Sequence, residues 1–335
     1  MCYTFYAMNY IVFDLEWNQG QPGQDALRER LPFEIFEIGA VKLNEKREKI
    51  SAFHRLIRPV VYREMNRIIS EVTHVSMEEI VRNGRPFGEV IREFLDWCGE
   101  DAMFCTWGNM DLTELQRNMA FHGVEIPFAM PLLFYDVQKL YSLLYSDGKS
   151  RESLEMAVAE QGVRLKAPFH RALGDAEYTA GLFARMDLEP VKAYCSVDYF
   201  RAPKKREEEF TLNFPGYAEI PGYSKFVSRI FPDRETAMTD KSVTDMVCCA
   251  CRRMLRKKIR WFAYGQRYYL CLAVCPEHGL VKGKIRMKKT DGGMVFAVKT
   301  AKFVDEAGAE MIEKKKEEAR IKRAERQKLK ARGEK

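Results

Sequence analysis

Residues 9–17 read NYIVFDLEW, an apolar run interrupted by two acids. Continuous aromatic and β-branched character over this length marks a buried strand. Asp14 and Glu16 stand two apart in it, so the strand period of two puts both side chains on one face at the strand's end. Adjacent carboxylates withdrawn from water repel each other and resist desolvation, at a cost on the order of several kcal/mol. A cation, protonation or other partners must neutralise them. The pair alone is equally compatible with a turn-capping Asp14 and a solvent-facing Glu16.

Two more strands follow, 34–43 (EIFEIGAVKL) and 50–57 (ISAFHRLI), separated by a polar turn at 44–49, which predicts a meander. Beyond it the pattern alternates, with helices at 77–81 and 86–98, a strand at 102–107, a helix at 111–122 and a strand at 132–135. Helices over 137–145, 152–161 and 172–186 complete it. Strands first and then alternating β and α predict an α/β domain over 9–186, a mixed sheet flanked by helices.

Three further residues change the weight of the first pair. Asp111, in TWGNMDLTEL, follows a short apolar strand at a helix start, where N-capping alone would account for it. Asp175, in FHRALGDAEYTAGLF, falls in the first turns of a later helix with His170 five residues upstream. Taken singly, His170 is an ordinary loop histidine and Asp175 a solvated helix residue. The order D-x-E, then D, then H-x4-D is hard to ascribe to chance.

With these residues in place the sequence resembles a known family. FDLEW at 13–17, WGNMD at 107–111 and HRALGDA at 170–176 are similar to the three motifs of the DEDDh class of DnaQ-like 3′–5′ exonucleases. EIFEIGAVKL, the THVS segment at 73–76 and RPFGEVIREFLDW support the match, which spans about residues 9–186. WGNMD most resembles the KapD and ERI-like ribonuclease branch. The resemblance implies an RNase H-like fold, two Mg²⁺ or Mn²⁺ ions held by Asp14, Glu16, Asp111 and Asp175, and His170 as general base. Glu16-Trp17-Asn18 departs from the small hydroxyl residues many proofreading members carry there, so the resemblance does not say how the terminal nucleotide is seated; Trp17 is expected to contact nucleic acid. The chemistry agrees: two divalent ions shield phosphoryl oxygens, steady a leaving 3′ oxygen and lower the pKa of water, oxygen ligands suit Mg²⁺ or Mn²⁺, and a near-neutral imidazole accepts the proton.

Residues 187–247 lose periodicity and gain Pro, aromatics and mixed charge, which predicts a linker or arm. From 248 to 304 short strands at 259–264, 267–274, 282–287 and 294–298, with turns at 265–266 and 291–293, predict a small β-rich unit. Residues 305–335 are strong helix formers with few apolar positions, a basic exposed helical tail. Five of the nine cysteines lie between Cys248 and Cys275, a clustering that favours metal over cystine. C-x2-C at Cys248 and Cys251 and C-x2-H at Cys275 and His278 look like a zinc ribbon, two turns completing a tetrahedron round one structural Zn²⁺. Cys249 in place of Cys248, and Cys271 in place of His278, are alternatives. Reduced core cysteines are the plain reading.

At 335 residues, 46% hydrophobic and 31% charged, the chain has globular composition and room for two domains. It contains no apolar run of membrane-spanning length and no secretory-type start, so a cytoplasmic protein is expected, with Met8 as a candidate start. The net +7 conceals an asymmetry: from Cys248 onward 25 Lys and Arg meet 10 Asp and Glu, a net of +15, which leaves −8 for residues 1–247. A basic module on an acidic body points to nucleic acid as partner, single-stranded RNA or DNA with a free 3′ end. Arg252, Arg253, Lys257, Lys258, Arg260, Lys284 and Arg286, interleaved with aromatics, are the expected contacts. The expectation is thus a metal-dependent 3′–5′ exonuclease of single strands, RNA slightly preferred on the branch resemblance. A DNA proofreading or repair exonuclease and a regulatory binding protein on an exonuclease scaffold are the alternatives. His54, His74 and His122 lack metal-ligand spacing and are expected to be structural.

Overall fold

The computed structural model describes residues 9–331 except 22, 165–166, 218–220 and 267. Met8, Cys2 and the last four residues of the basic tail lie outside the described residues, as does the expected strand start at Arg267. The chain divides between Phe200 and Arg201 into two compact units.

The first unit is built on strands Asn9–Asn18 (β1), Glu34–Asn44 (β2), Lys49–Leu56 (β3), Ala102–Thr106 (β4), Leu133–Asp136 (β5) and Ser196–Val197 (β6), in the order β3-β2-β1-β4-β5-β6. The β1–β2 and β2–β3 pairs are antiparallel, and β1–β4 and β4–β5 parallel. This is the mixed sheet expected from the sequence, meander included. Its helices are Asp25–Arg30 (α1), Arg67–Thr73 (α2), Met77–Asn83 (α3), Phe87–Cys98 (α4), Asp111–Phe121 (α5), Val137–Tyr145 (α6), Leu154–Glu160 (α7) and Ala172–Arg185 (α8). α4 turns Phe87, Val90, Ile91 and Phe94 onto Phe13, Phe53 and Phe104 of the sheet, at the three- and four-residue spacing of an amphipathic helix.

Two contacts fix α8 and α5 against the sheet. Gly39 of β2 lies opposite Asp14. A Cβ there would stand 2.0 Å from the backbone nitrogen of Leu173, so only glycine lets the first turn of α8 press onto the sheet beside Asp14. Asn118 of α5 accepts from the Ile35 amide at 3.1 Å and donates to the Phe33 carbonyl at 2.9 Å, locking that helix to the start of β2.

The expected arm at 187–247 is not an arm. β6 pairs with β5, and Asp198 accepts hydrogen bonds from Thr113 Oγ1 and Gln116 Nε2 at 2.5 and 2.6 Å, so the chain up to Phe200 closes the first unit. Phe210–Phe214 (β7) and Tyr223–Phe231 (β8) then begin a second, antiparallel sheet with Arg256–Tyr264 (β9), Tyr268–Cys275 (β10), Gly279–Lys289 (β11) and Val295–Phe303 (β12), in the order β7-β8-β12-β11-β10-β9. β7 alternates over Thr211–Phe214 but is short and lies beside Pro and Gly, and β8 buries Ser224, Val227, Ser228 and Phe231 without a period of two, so neither strand carried a clear signal in the sequence. The β-rich unit is therefore a six-stranded sheet rather than a small ribbon. Helices Arg234–Thr239 (α9) and Lys241–Thr244 (α10) follow β8. Buried Lys299 of β12 donates to the Ser242 and Asp245 carbonyls at 2.8 and 2.6 Å, satisfying the C-terminal end of α10. A long helix, Glu306–Ala331 (α11), packs its first turns on the sheet through Ala309 and Ile312. No helix among the described residues is long and apolar enough to cross a membrane.

Candidate active site and cysteine–histidine centre

Strand alternation and the placement of α8 bring Asp14, Glu16 and Asp175 together. Each offers an oxygen within 4.8 Å of the others. They line a cleft of about 360 Å³ with Trp17, Trp107, Met110 and Asp111. Asp111 is buried at the N-terminus of α5, and its Oδ1 accepts from the Leu15 amide at 3.2 Å, so it is docked on β1 beside the other three. Among the described residues Asp175 Oδ1 is buried without a hydrogen-bond partner. Burial, reinforced by the neighbouring carboxylates, pushes Glu16 up to about 8 and Asp14 well above the usual carboxylate range. Burial likewise raises Asp111 to about 7 and Asp175 to about 6. Carboxylate oxygens crowded at this spacing, whose charge a bound cation would restore, fit the chemistry of hard divalent cations.

Glu37, opposite Glu16 in the β1–β2 pair, shows what a satisfied acid looks like here. It is fully buried, yet Arg171 reaches it through Nε and Nη2 at 3.1–3.2 Å and His54 Nε2 lies 2.6 Å away. Burial opposes its charge, but the bonds from His54 and Arg171 hold it below the usual range. Arg171 is the N-cap residue of α8, between His170 and Asp175 in sequence, so this ion pair ties the start of that helix to the sheet. The sequence reading missed it, although an acid inside EIFEIGAVKL was the available signal.

His170 is placed differently from expectation. Its backbone is left-handed, with φ 58°, and its amide donates to Asp175 Oδ2 at 3.3 Å. The imidazole, however, is exposed and turned to α7, with Nε2 3.0 Å from Glu155 Oε1, and does not line the cleft. The reason is local competition: Glu155 supplies a carboxylate partner within reach that the motif spacing did not reveal.

The Exonuclease (RNase_T) family matches residues 11–183, half of the chain. The chain belongs to that family. The exonuclease domain is 27% identical over 157 residues to the probable 3′-5′ exonuclease KapD of Bacillus subtilis (strain 168), a match covering 47% of this chain and 74% of that protein. Among solved structures, the nuclease domain of 3′hExo, a DEDDh family member, bound to rAMP superposes with a TM-score of 0.46 at 20% identity, covering 54% of this chain and 92% of that one. Cell-death related nuclease 4 (CRN-4) gives 0.45 at 16% identity, covering 57% and 66%. The DnaQ-like resemblance read from the three motifs is thus a family relationship, and the protein is a nuclease.

The raised carboxylates give the exonuclease domain a defined pH response. Glu16, Asp111 and Asp175 titrate near 8, 7 and 6 when folded, against ordinary values of 4.5, 3.8 and 3.8. Between those limits the metal-free folded chain holds protons that the unfolded chain releases. The stability they contribute is full below about pH 4 and is lost as pH rises to about 8. In EDTA the exonuclease transition should fall by on the order of 5–10 °C from pH 5.5 to 8.5. Mn²⁺ should abolish most of that fall, as calorimetry would show.

In the second unit Cys248, Cys251, Cys275 and His278 converge, each offering one atom within 4.8 Å of the rest. Cys251 Sγ and Cys275 Sγ are 3.7 Å apart, and His278 Nδ1 is 3.5 Å from Cys275 Sγ and 3.8 Å from Cys248 Sγ. A tetrahedron with zinc–sulfur bonds of about 2.3 Å sets sulfurs roughly 3.7 Å apart, so the spacing fits. Burial opposes the Cys275 thiolate, but bonds from His278 Nδ1 and from the Glu277 and His278 amides bring the thiol down to about 6. The alternative ligands lie elsewhere. Cys249 Sγ is directed at the Gly222 carbonyl, and burial raises its thiol to about 11; Cys271 packs in the core, pushed up to about 12.

The expected nucleic-acid contacts separate into groups. Trp17 lies in the first unit, against Phe33 and the cleft. Lys258 and Arg260 are exposed on β9, and Lys284 and Arg286 of β11 flank the Tyr268 ring, 4.3 and 5.9 Å from its centroid. Arg252 is exposed with φ 62°, Arg253 pairs with Glu277 at 2.6 Å, and Lys257 is half-buried near Asp245. The other histidines are structural as expected: His54 holds Glu37, His74 ends α2, and His122 stacks on Phe87.

Proposed function

We propose that this exonuclease hydrolyses phosphodiester bonds from the 3′ end of single-stranded nucleic acid, RNA in preference to DNA, with two Mg²⁺ or Mn²⁺ ions held by Asp14, Glu16, Asp111 and Asp175. The observation that carries the reading is the convergence of three carboxylates with an unpartnered, buried Asp175 Oδ1. When bound, the ions would shield the phosphoryl oxygens and lower the pKa of water. The chain's own residues do the rest. Asp14, Glu16 and Asp175 keep anionic oxygens converged on one point, and Arg171 with Glu37 fixes the helix start that carries Asp175. Trp17 and Met110 offer apolar surface for the terminal nucleotide at the cleft. His170, an exposed side chain, leaves Glu155 by rotation and takes a proton at an imidazole nitrogen from the water whose oxygen bonds to phosphorus, while the P–O3′ bond breaks and the leaving 3′ oxygen takes a proton from solvent. The preference for RNA follows the branch resemblance of WGNMD. We propose also that Cys248, Cys251, Cys275 and His278 hold one structural Zn²⁺.

Matched RNA and DNA 20-mers labelled at the 5′ end, incubated with Mn²⁺, test the reading. A ladder shortening from the 3′ end, faster on RNA and lowered about 10²–10⁴-fold in kcat by His170→Ala, is expected. Shortening from the 5′ end, or full activity of the variant, would overturn it; faster DNA cleavage would assign the enzyme to the proofreading alternative.

A further inference from the structure

A cavity of about 870 Å³ opens between β9 and α11 in the second unit. The strand side is the segment 261–266, WFAYGQ, and the helix side includes Lys316, Ala319, Lys322 and Arg323. β9 is the outermost strand of its sheet. The helix is anchored by Ala309 and Ile312 against Ile259, Leu272 and Phe262. Steps of three and four carry the same side of the helix on through Lys316, Ala319 and Arg323, with Lys315 and Lys322 at its margin. Cations thus occupy the side turned to the strand, where an amphipathic helix would place leucines. The opposite side carries exposed Glu310, Lys314, Glu317 and Ile321. A helix charged merely for solubility would show the reverse distribution. Lys315 Nζ already lies over the Tyr264 ring, 5.2 Å from its centroid. One acid, Glu318, also lines the cavity, and Arg320 there is paired with Glu317 at 2.6 Å, so Lys316, Lys322 and Arg323 carry the positive charge facing the strand.

We propose that this groove binds an unstructured stretch of single-stranded nucleic acid, with bases against Tyr264 and Phe262 and phosphates on Lys316, Lys322 and Arg323. The choice of a nucleic acid rests on the exonuclease reading. Charge complementarity selects a polyanion, and aromatic surface beside the cations selects one that carries flat rings. An acidic peptide would use the cations alone.

The test is fluorescence anisotropy of a labelled U20 oligonucleotide with the full chain in EDTA, titrated at several salt concentrations. Replacing Lys316, Lys322 and Arg323 by Gln together should weaken binding on the order of 100-fold near 0.1 M salt and reduce the slope of log K against log salt by about 2. Tyr264→Leu, which keeps apolar bulk without a ring, should weaken binding about tenfold and leave the slope unchanged. A matched triple at Lys204, Lys241 and Lys289, exposed elsewhere in the same unit, should cost less than about threefold. Equal losses from the two triples, an unaffected Tyr264→Leu, or equal affinity for polyglutamate would overturn the proposal. Hydrolysis of the p-nitrophenyl ester of thymidine 5′-monophosphate by the unaltered chain with Mn²⁺ reports on the catalytic reading separately, since that ester has no strand to occupy the groove.

Discussion

Asp14→Asn should lower nuclease activity by about 10³-fold or more, since losing one anionic ligand forfeits several kcal/mol of charge stabilisation at the phosphoryl group. The same substitution should make the metal-free protein more stable. Asp14 is pushed well above the usual carboxylate range by burial and by Asp111, Glu16 and Asp175, so the metal-free folded state either strains to keep it charged or must take up a proton there. An uncharged isostere relieves that repulsion by roughly 1–3 kcal/mol, raising the melting temperature in EDTA while abolishing the gain that Mn²⁺ gives the unaltered chain. Opposite signs in activity and metal-free stability separate a cation site from a merely structural acid. A structural Asp14 would lose stability on substitution and keep its rate. Turnover of a 5′-labelled oligonucleotide and paired melting curves with and without Mn²⁺ decide the matter.

The Cys251→Ser, Cys275→Ser double variant should lose about one zinc per chain and unfold much of the second sheet. Structural zinc in small peptides contributes about 10–16 kcal/mol of apparent free energy, more than a sheet of this size holds in reserve. The cluster sits on the core that Met246, Leu255, Ala273 and Val281 share with Cys248 and Cys275, so losing the cation opens the region between α10 and β10. A strong chelator should reproduce the effect, and the exonuclease domain, which has its own sheet and core, should retain its melting transition. Zinc content by atomic absorption and a two-transition calorimetric trace are the readouts. An unchanged second transition in a zinc-free protein would return these residues to ordinary core cysteines.

Much of the first unit was legible because its elements announce themselves locally. The meander of β1–β3, the apolar periodicity of α4 and the boundaries of α5 and α6 all follow from patterns a few residues long. The second sheet was half legible: its last four strands and their turns could be read, while β7 and β8 could not, since β7 is a short run beside Pro and Gly and β8 keeps no period of two. β8 lies between β7 and β12, and β12 is some seventy residues away, a pairing that no local pattern encodes.

The residue types at the site, and the ligand spacing of the cysteine knuckles, were fixed by sequence alone, because the period of a strand and the geometry of a four-residue turn are backbone properties. Which groups meet was decided by long-range packing. Gly39 admits α8 to the sheet so that Asp175 reaches Asp14 and Glu16, Arg171 neutralises Glu37, and Glu155 draws the His170 imidazole aside. Cys248 and His278 join the cluster while Cys249 and Cys271 turn elsewhere. Side-chain direction and charge compensation depend on atoms far apart along the chain, and only the folded backbone brings them within reach.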